Sequence, residues 1–245
     1  KPDYAEAYNN LGNVLKDLEQ LDAAVKSYKN AIAIKPDYVE AHYSLGNTHQ
    51  ELGQLDDAVK SYKEVIDIEP DFAEMHNNLG VILKELNQKD AALKSLERAV
   101  AIKPGFAEAH NNLGNILKDL YQLDSSVKSY EKALALKPDY VDAHYNLGGA
   151  FKDLGQLEAA VKSYEKAVAL KPDYADGHYN LGGAFKDLGQ LEAAVKSYEK
   201  AVAHKPDYAE AHNNLGSVLK EQGQLDAAIK YYDHAMELKP DIYFT

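Results

Sequence analysis

Apolar residues along this chain recur at intervals of three and four, the spacing that places them on one face of a helix. Between residues 141 and 154 they fall at Ala143, Leu147, Ala150, Phe151 and Leu154. A second such segment runs from about residue 157 to residue 170, and no segment shows the alternation of a strand. The pattern therefore predicts two helices, 141–154 and 157–170, joined by a short turn.

Turn residues fall where these helices should begin and end. Asp139 follows Pro138 and is predicted to cap the first helix with its carboxylate. Gly155 is predicted to end that helix, because glycine tolerates a positive φ. The same position elsewhere holds Gly53, Gly189, Gly223, Glu19, Asn87 and Tyr121. Pro172 should end the second helix, since proline disfavours helix in the residue before it.

This two-helix pattern repeats with a strict period of 34 residues. The eight prolines lie at Pro2, Pro36, Pro70, Pro104, Pro138, Pro172, Pro206 and Pro240. The period predicts one solenoid over 1–238 with the repeats 1–34, 35–68, 69–102, 103–136, 137–170, 171–204 and 205–238. Residues 239–245 are then the truncated start of an eighth unit or a tail.

Each repeat carries a glycine inside its first helix, as at Gly148 in the fifth repeat. Glycine costs about 1 kcal/mol against alanine in a helix interior, so its recurrence indicates a need for space. We expect the partner helix to approach closely there, helped by Ala160 and Ala167 on its facing side. Tyr164 is expected to fill the gap left between neighbouring helix pairs.

The motif of Leu147, Gly148, Ala160, Tyr164, Ala167 and Pro172, in a period of 34, resembles the tetratricopeptide repeat. The resemblance covers essentially the whole chain. Departures are Ser126 and Val65 where alanine is usual, Leu96 where an aromatic is usual, and His49 on a core-facing position. The resemblance implies an all-α, right-handed superhelical solenoid of antiparallel helix pairs, with the first helix of each pair lining a concave groove that binds protein.

Repeats five and six are nearly the same sequence. They differ at three pairs of positions, namely Val141/Ala175, Ala143/Gly177 and Leu170/His204. Solvent-facing positions match as well as core positions, which packing alone would not require. A recent duplication or an engineered copy explains this identity, and the more varied third repeat favours a natural origin.

Composition narrows the function. Of the 245 residues 45% are hydrophobic and none is Cys, so a folded core is expected without disulfides or thiol chemistry. The net charge of −12 counts against binding nucleic acid or anionic membranes. No apolar run is long enough to span a membrane. The chain opens without Met or a targeting segment, so we expect an excised fragment of unknown compartment, with the cytoplasm favoured.

Candidate chemistry is sparse. Six histidines share one position, at His42, His76, His110, His144, His178 and His212. A metal ion needs ligands that converge within about 2 Å of it, whereas helices pack roughly 8–10 Å apart. We therefore interpret these imidazoles as replacing an aromatic side chain between helices. No nucleophile stands beside a base, and the glycines form no phosphate loop. We expect no metal, no cofactor and no enzymatic activity.

The face of the first helix opposite the core carries the candidate binding residues. One position is an asparagine ladder at Asn10, Asn78, Asn112, Asn146, Asn180 and Asn214. Neighbouring positions on the same face add Asn13, Asn47, Asn115, Tyr43, Tyr145 and Tyr179. A lysine row follows and includes Lys118, Lys152 and Lys186.

Two interpretations of the asparagine ladder stay open. Asparagine is a poor helix former, so its recurrence needs a reason. Its amide offers a donor and an acceptor, and a ladder of amides can hold the backbone of an extended peptide. In this respect the ladder is similar to the superhelix of the O-linked N-acetylglucosamine transferases, which implies a recruiting arm of a larger protein. Alternatively, the amides bond to the neighbouring helix and fix how the repeats pack.

The repeat array has two further candidate roles. A carboxylate clamp is disfavoured, because the lysines are each followed by an acid such as Asp153. Self-assembly through the ends or the convex face is the alternative function, since a solenoid end usually needs a polar cap. Residues 239–245 are too short for a capping helix, and Tyr231 replaces the serine found at its position in the other repeats.

Overall fold

In the computed structural model residues 4–239 are described, and they form fourteen α-helices and no strand. The chain divides into two compact units, residues 1–120 and residues 121–245. The helices of the first unit are α1 (Tyr4–Asp17), α2 (Leu21–Ile34), α3 (Val39–Glu51), α4 (Leu55–Ile68), α5 (Ala73–Glu85), α6 (Lys89–Ile102) and α7 (Ala107–Asp119). Those of the second unit are α8 (Leu123–Leu136), α9 (Val141–Asp153), α10 (Leu157–Leu170), α11 (Ala175–Asp187), α12 (Leu191–His204), α13 (Ala209–Glu221) and α14 (Leu225–Leu238).

The predicted all-α repeat architecture is confirmed. The two helices expected in the fifth repeat are α9 and α10, and they match the prediction to within one residue. Within each unit a second helix packs on its own first helix and on the first helix of the next repeat, as α10 does on α9 and α11. Residues 240–245 of the predicted tail lie outside the described residues.

The prediction that Asp139 caps its helix is wrong. The N-cap residue of α9 is Tyr140, in an extended conformation, and no side chain bonds to the helix start. Asp139 lies one residue too far from the first turn. The loop is closed instead by backbone bonds, in which the Tyr140 amide donates to the Lys137 carbonyl at 3.1 Å and the His144 amide donates to the Tyr140 carbonyl at 3.1 Å.

The turn between the two helices has the predicted left-handed residue. Gly155 has φ of 73°. The three repeats without glycine keep the same backbone, with φ of 58° at Glu19, 57° at Asn87 and 58° at Tyr121. The tight turn therefore comes from the packing of the two helices, and residues with a Cβ accept it.

The space left by the mid-helix glycines is filled by one ring. A Cβ on Gly148 would lie 2.7 Å from Cδ1 of Tyr164, far inside contact distance. Tyr164 belongs to the second helix of the same pair and also packs with Leu181 and Ala184 of the next repeat, so its ring fills space both within the pair and between neighbouring pairs. Ala160 and Ala167 are fully buried beside it. The first helix thus lacks a side chain at the point where the tyrosine ring packs.

Candidate functional site

The asparagine ladder lies on the face of the first helices opposite the core, and three of its amides bond to the preceding repeat. Asn180 donates from Nδ2 to the hydroxyl of Tyr145 at 2.7 Å. Asn214 donates to the hydroxyl of Tyr179 at 3.0 Å in the same way. In the first unit the acceptor is an amide, because Asn112 Nδ2 donates to Asn77 Oδ1 at 2.9 Å. The ladder thus forms part of the contact between repeats.

The bond between repeats leaves part of the Asn180 amide unused. An asparagine has two N–H donors and one carbonyl oxygen. The bond from Asn180 to Tyr145 uses one donor and leaves the other donor and Oδ1. Burial raises the pKa of the Tyr145 and Tyr179 hydroxyls, so both keep their proton and can donate it. The face therefore presents donors and acceptors side by side.

The second asparagine row has a different partner. The buried hydroxyls of Tyr28 and Tyr62 donate to Asn13 Oδ1 at 2.8 Å and to Asn47 Oδ1 at 2.5 Å. Tyr43 packs its ring on Phe72, with the ring centres 6.4 Å apart. Asn10 is exposed, while Asn78 accepts from Asn77 at 3.3 Å. The side-chain carbonyls of Asn13 and Asn47 therefore accept hydrogen bonds from tyrosines of the core.

The lysine row forms ion pairs between repeats. Lys152 lies 3.2 Å from Asp187, and Lys186 lies 3.4 Å from Glu221. In each pair the acid belongs to the next repeat, 35 residues further along the chain. Lys186 also donates to the Ser217 hydroxyl at 3.0 Å. The remaining predicted residues Asn115, Lys118 and Asn146 each engage a partner as well.

Small cavities open beside the ladder in each unit. In the second unit a cavity of about 210 Å³ is lined largely by polar side chains, among them Lys152, Asn180, Lys186 and Asn214. In the first unit a cavity of about 210 Å³ includes Val81, Lys84, Leu96 and Asn112. Lys84, Leu96 and Asn112 stand three repeats before Lys186, Tyr198 and Asn214 of the other cavity, so the same place in the repeat is open in both units.

The six repeated histidines have a role that the sequence analysis missed. In each of them Nε2 lies 2.8–3.0 Å from the carbonyl oxygen of the proline six residues earlier, as His144 does with Pro138. Because a carbonyl only accepts, Nε2 carries the proton and donates it. The imidazole ties the loop to the helix, and the constant spacing of six from Pro to His was the available signal.

Two of these histidines are buried with their second nitrogen unsatisfied. Nδ1 of His178 and Nδ1 of His212 have no partner among the described residues. Burial lowers the pKa of His178, and the nearby Lys200 and His204 lower it further. The hydrogen bond to the Pro172 carbonyl raises this pKa but does not offset the lowering. Burial also lowers the pKa of His212, with His234 adding to the effect. Both rings are therefore held neutral.

This arrangement predicts that acid destabilises the second unit. A histidine with a lowered pKa in the folded state binds its proton more readily in the unfolded chain. Its contribution to stability is therefore complete above the ordinary pKa of 6.5 and is lost as the pH falls through the folded pKa. We expect a lower free energy of unfolding at about pH 5.5 than at about pH 7.5. Urea denaturation measures it, and ring proton NMR should show His178 and His212 titrating below 6.5. Equal stability at both pH values would contradict this account.

Two further features are absent from residues 4–239. This part of the chain holds no group of three or more His, Asp or Glu side chains placed to bind a metal ion. Nor does any of its helices have the length and apolar character that crossing a membrane requires.

Comparisons with known proteins identify the repeat. The family model described as TPR repeat matches residues 12–53, 50–87, 82–120, 115–155, 148–189 and 182–223. The model described as tetratricopeptide repeat matches residues 209–242. No curated protein sequence matches the chain.

Solved structures share the fold. MamA is 26% identical, with a TM-score of 0.63 over 66% of this chain and 95% of its own. PilW, described as a widely conserved type IV pilus biogenesis factor, is 24% identical, with a TM-score of 0.75 over 89% of this chain and 99% of its own. YrrB, described as a TPR protein with an unusual peptide-binding site, is 22% identical, with a TM-score of 0.64 over 75% of this chain and 95% of its own.

Proposed function

We propose, from the premise that this chain belongs to the tetratricopeptide repeat family, that the exposed face of its first helices binds an extended peptide of a partner protein. The family is a protein-interaction fold and is in general not catalytic. The observation that carries the proposal is the unused half of the Asn180 amide, whose bond to the Tyr145 hydroxyl leaves one donor and Oδ1. That YrrB, with the same fold, has a peptide-binding site is consistent with it.

The spacing of the ladder suits a peptide backbone. Neighbouring packed helices lie roughly 8–10 Å apart, which is about three residues of extended chain. One amide per repeat would then bond to every third residue of the peptide, its Oδ1 accepting from an N–H and its free N–H donating to a carbonyl. Such bonds grip the backbone without reading the side chains.

The charges on this face support backbone binding over a carboxylate clamp. Lys152 and Lys186 are each neutralised by an acid of the next repeat. A clamp for a terminal carboxylate needs cations that are free to turn toward the ligand. We therefore propose that Tyr145, Tyr179 and the lysine row border the peptide, while the asparagines bond to it.

The test uses the second unit, where the bonds are defined. Binding of a randomised peptide library is compared for the native chain, for Asn180→Ala with Asn214→Ala, and for Tyr145→Phe with Tyr179→Phe. If the amides hold peptide, the asparagine variant loses binding by about tenfold or more, as expected when two hydrogen bonds of about 1 kcal/mol each are lost. The tyrosine variant keeps binding, because its amides are intact.

A structural role for the ladder gives a different result. Both double variants would then lower the free energy of unfolding, since each removes the two bonds between repeats, and neither would change binding selectively. Urea denaturation of all three proteins separates the outcomes. A library that binds none of the folded proteins would refute the proposal.

A second candidate function is self-assembly through the ends, favoured by apolar surface on the first and last helices. Leu11 of α1 is 47% exposed, whereas its equivalents Leu45 and Leu181 are 7% and 6% exposed. The second helix of the preceding repeat covers those two. On α14 the exposed residues include Leu225, at 59%, and Ile229, at 56%. The helix α1 thus lacks a preceding second helix to cover it. The exposed face of α14 from a second copy could take that place.

Self-assembly predicts growth in size with concentration. Sedimentation velocity over two orders of magnitude in protein concentration should show larger species forming without any ligand. Leu11→Glu with Val14→Glu should return the chain to a monomer, because a charge on the α1 face opposes its burial. A native chain that stays monomeric throughout would eliminate this function, and circular dichroism confirms that the variant is folded.

A further inference from the structure

A cavity of about 590 Å³ lies on the face of the second helices, away from the ladder. It opens between α10 and α12, with α11 forming its floor. Apolar side chains of Val168, Leu181 and Phe185 line its base, and it shares no lining residue with the two cavities beside the ladder. Its volume is in the range of cavities that hold ligands. It is therefore a separate candidate site, which does not rest on the proposed peptide groove.

Repeats five and six provide an internal comparison at this cavity. Of the three positions that differ between them, His204 lines it in place of Leu170. The second differing position is Gly177, where a Cβ would lie 3.0 Å from Cγ1 of Val168, a residue that lines the cavity. The cavity in the preceding repeat, which Leu170 lines, measures about 400 Å³. The differences between the two repeats thus concentrate around the larger cavity.

One wall of the cavity is basic. Lys196, Lys200 and His204 follow one another at four-residue intervals along α12, and all three are exposed. Neither lysine forms an ion pair with a described residue, and the one acid in the lining is Glu165 on the opposite wall. In a chain of net charge −12 such a wall attracts an anionic partner locally.

The seventh repeat has aromatic rings at the place that corresponds to the floor of this cavity. There Tyr231 and His234 stand where repeat six has Ser197 and Lys200. Their rings lie on His212, with centres 5.9 Å and 4.4 Å from it. In repeat six the equivalent His178 is 3% exposed and is covered by His204, whose ring stacks on it at 5.8 Å. The fold thus accepts aromatic rings beside this histidine, and in repeat six the small Ser197, which lines the cavity, stands in place of Tyr231.

We propose that this cavity binds an acidic peptide segment that carries one aromatic side chain. The ring packs on Leu181 and Phe185, and the carboxylates pair with Lys196, Lys200 and His204. The lining runs along α12 from Ala193 to His204, about 16 Å at 1.5 Å per residue. That length takes roughly five residues of extended peptide, which favours a peptide over a small molecule.

The test measures fluorescence polarisation of a labelled heptapeptide in which a central Phe is flanked by Asp on both sides. Lys196→Glu with Lys200→Glu should weaken its binding by about tenfold or more, since two attractive charges become repulsive. Lys162→Glu with Lys166→Glu makes the same charge change one repeat earlier and is the matched control, expected to change binding by no more than about threefold. His204→Leu, which restores the residue of repeat five, should also weaken binding.

Several results would overturn the proposal. They are an absence of saturable binding to the native chain, equal losses in the two lysine double variants, and equal binding of an oligothymidylate, which would show that charge alone acts. A peptide with Ala in place of Phe must bind more weakly. Asn180→Ala with Asn214→Ala should leave binding of the acidic peptide unchanged, so this proposal and the peptide groove fail independently.

Discussion

Tyr164→Ala is expected to lower the free energy of unfolding by about 3–5 kcal/mol, the range for removing a buried aromatic ring. Tyr164 is 2% exposed and packs in one cluster with Leu181 and Ala184 of the next repeat. Its ring also occupies the space over Gly148. Removing it leaves a cavity that touches two repeats.

The measurement is urea denaturation followed by circular dichroism, with the slope checked because a repeat array need not unfold in one step. Tyr164→Phe is the control, since it keeps the ring and removes only the hydroxyl, at a cost of no more than about 1.5 kcal/mol. A loss of under about 1 kcal/mol for the alanine variant would mean that the ring does not hold the two repeats together.

Gly148→Ala should destabilise the protein by about 1–2 kcal/mol, even though alanine is the better helix former. The new Cβ would meet Cδ1 and Cε1 of Tyr164 at 2.7 Å, and such overpacking costs about 1–3 kcal/mol. The gain in helix propensity, about 1 kcal/mol, offsets only part of it. Gly183→Ala is the matched control, because its Cβ would meet only the end of the Lys152 side chain at 3.2 Å and the Tyr198 hydroxyl at 3.6 Å. It should gain up to about 1 kcal/mol.

A double-mutant cycle tests the cause. In the Tyr164→Ala background the ring is absent, so Gly148→Ala should stabilise rather than destabilise. The change of sign is specific to a clash between these two residues. If Gly148→Ala lowers stability equally in both backgrounds, the glycine is needed for another reason.

The sequence was sufficient to predict the helices, the period and the left-handed turn residues, because each rests on a local pattern repeated in every unit. Tyr121 was predicted in a glycine position solely from that register, and its φ is positive. Asp139 was mispredicted because the preference of aspartate for a helix start says nothing about which loop residue reaches the cap position. Here Tyr140 does.

The candidate sites were less predictable, because they depend on which side chains meet between repeats. The asparagine ladder could be found by its recurrence, but the acceptors of Asn180 and Asn214, two tyrosine hydroxyls of the preceding repeats, could not. The basic cavity was hidden for a similar reason. In the sequence His204 is one of three differences between repeats five and six. Only the packing of α10, α11 and α12 places it over His178.

The bonds that join one repeat to the next connect residues that are near in sequence. The asparagine bonds and lysine ion pairs span 35 positions, and the pair between Lys103 and Glu74 spans 29. Contact order is set by such separations relative to chain length, and proteins with low contact order fold quickly. Adding repeats lengthens the chain without lengthening these separations. An array of this kind can therefore grow by added repeats without a topological penalty on its folding rate.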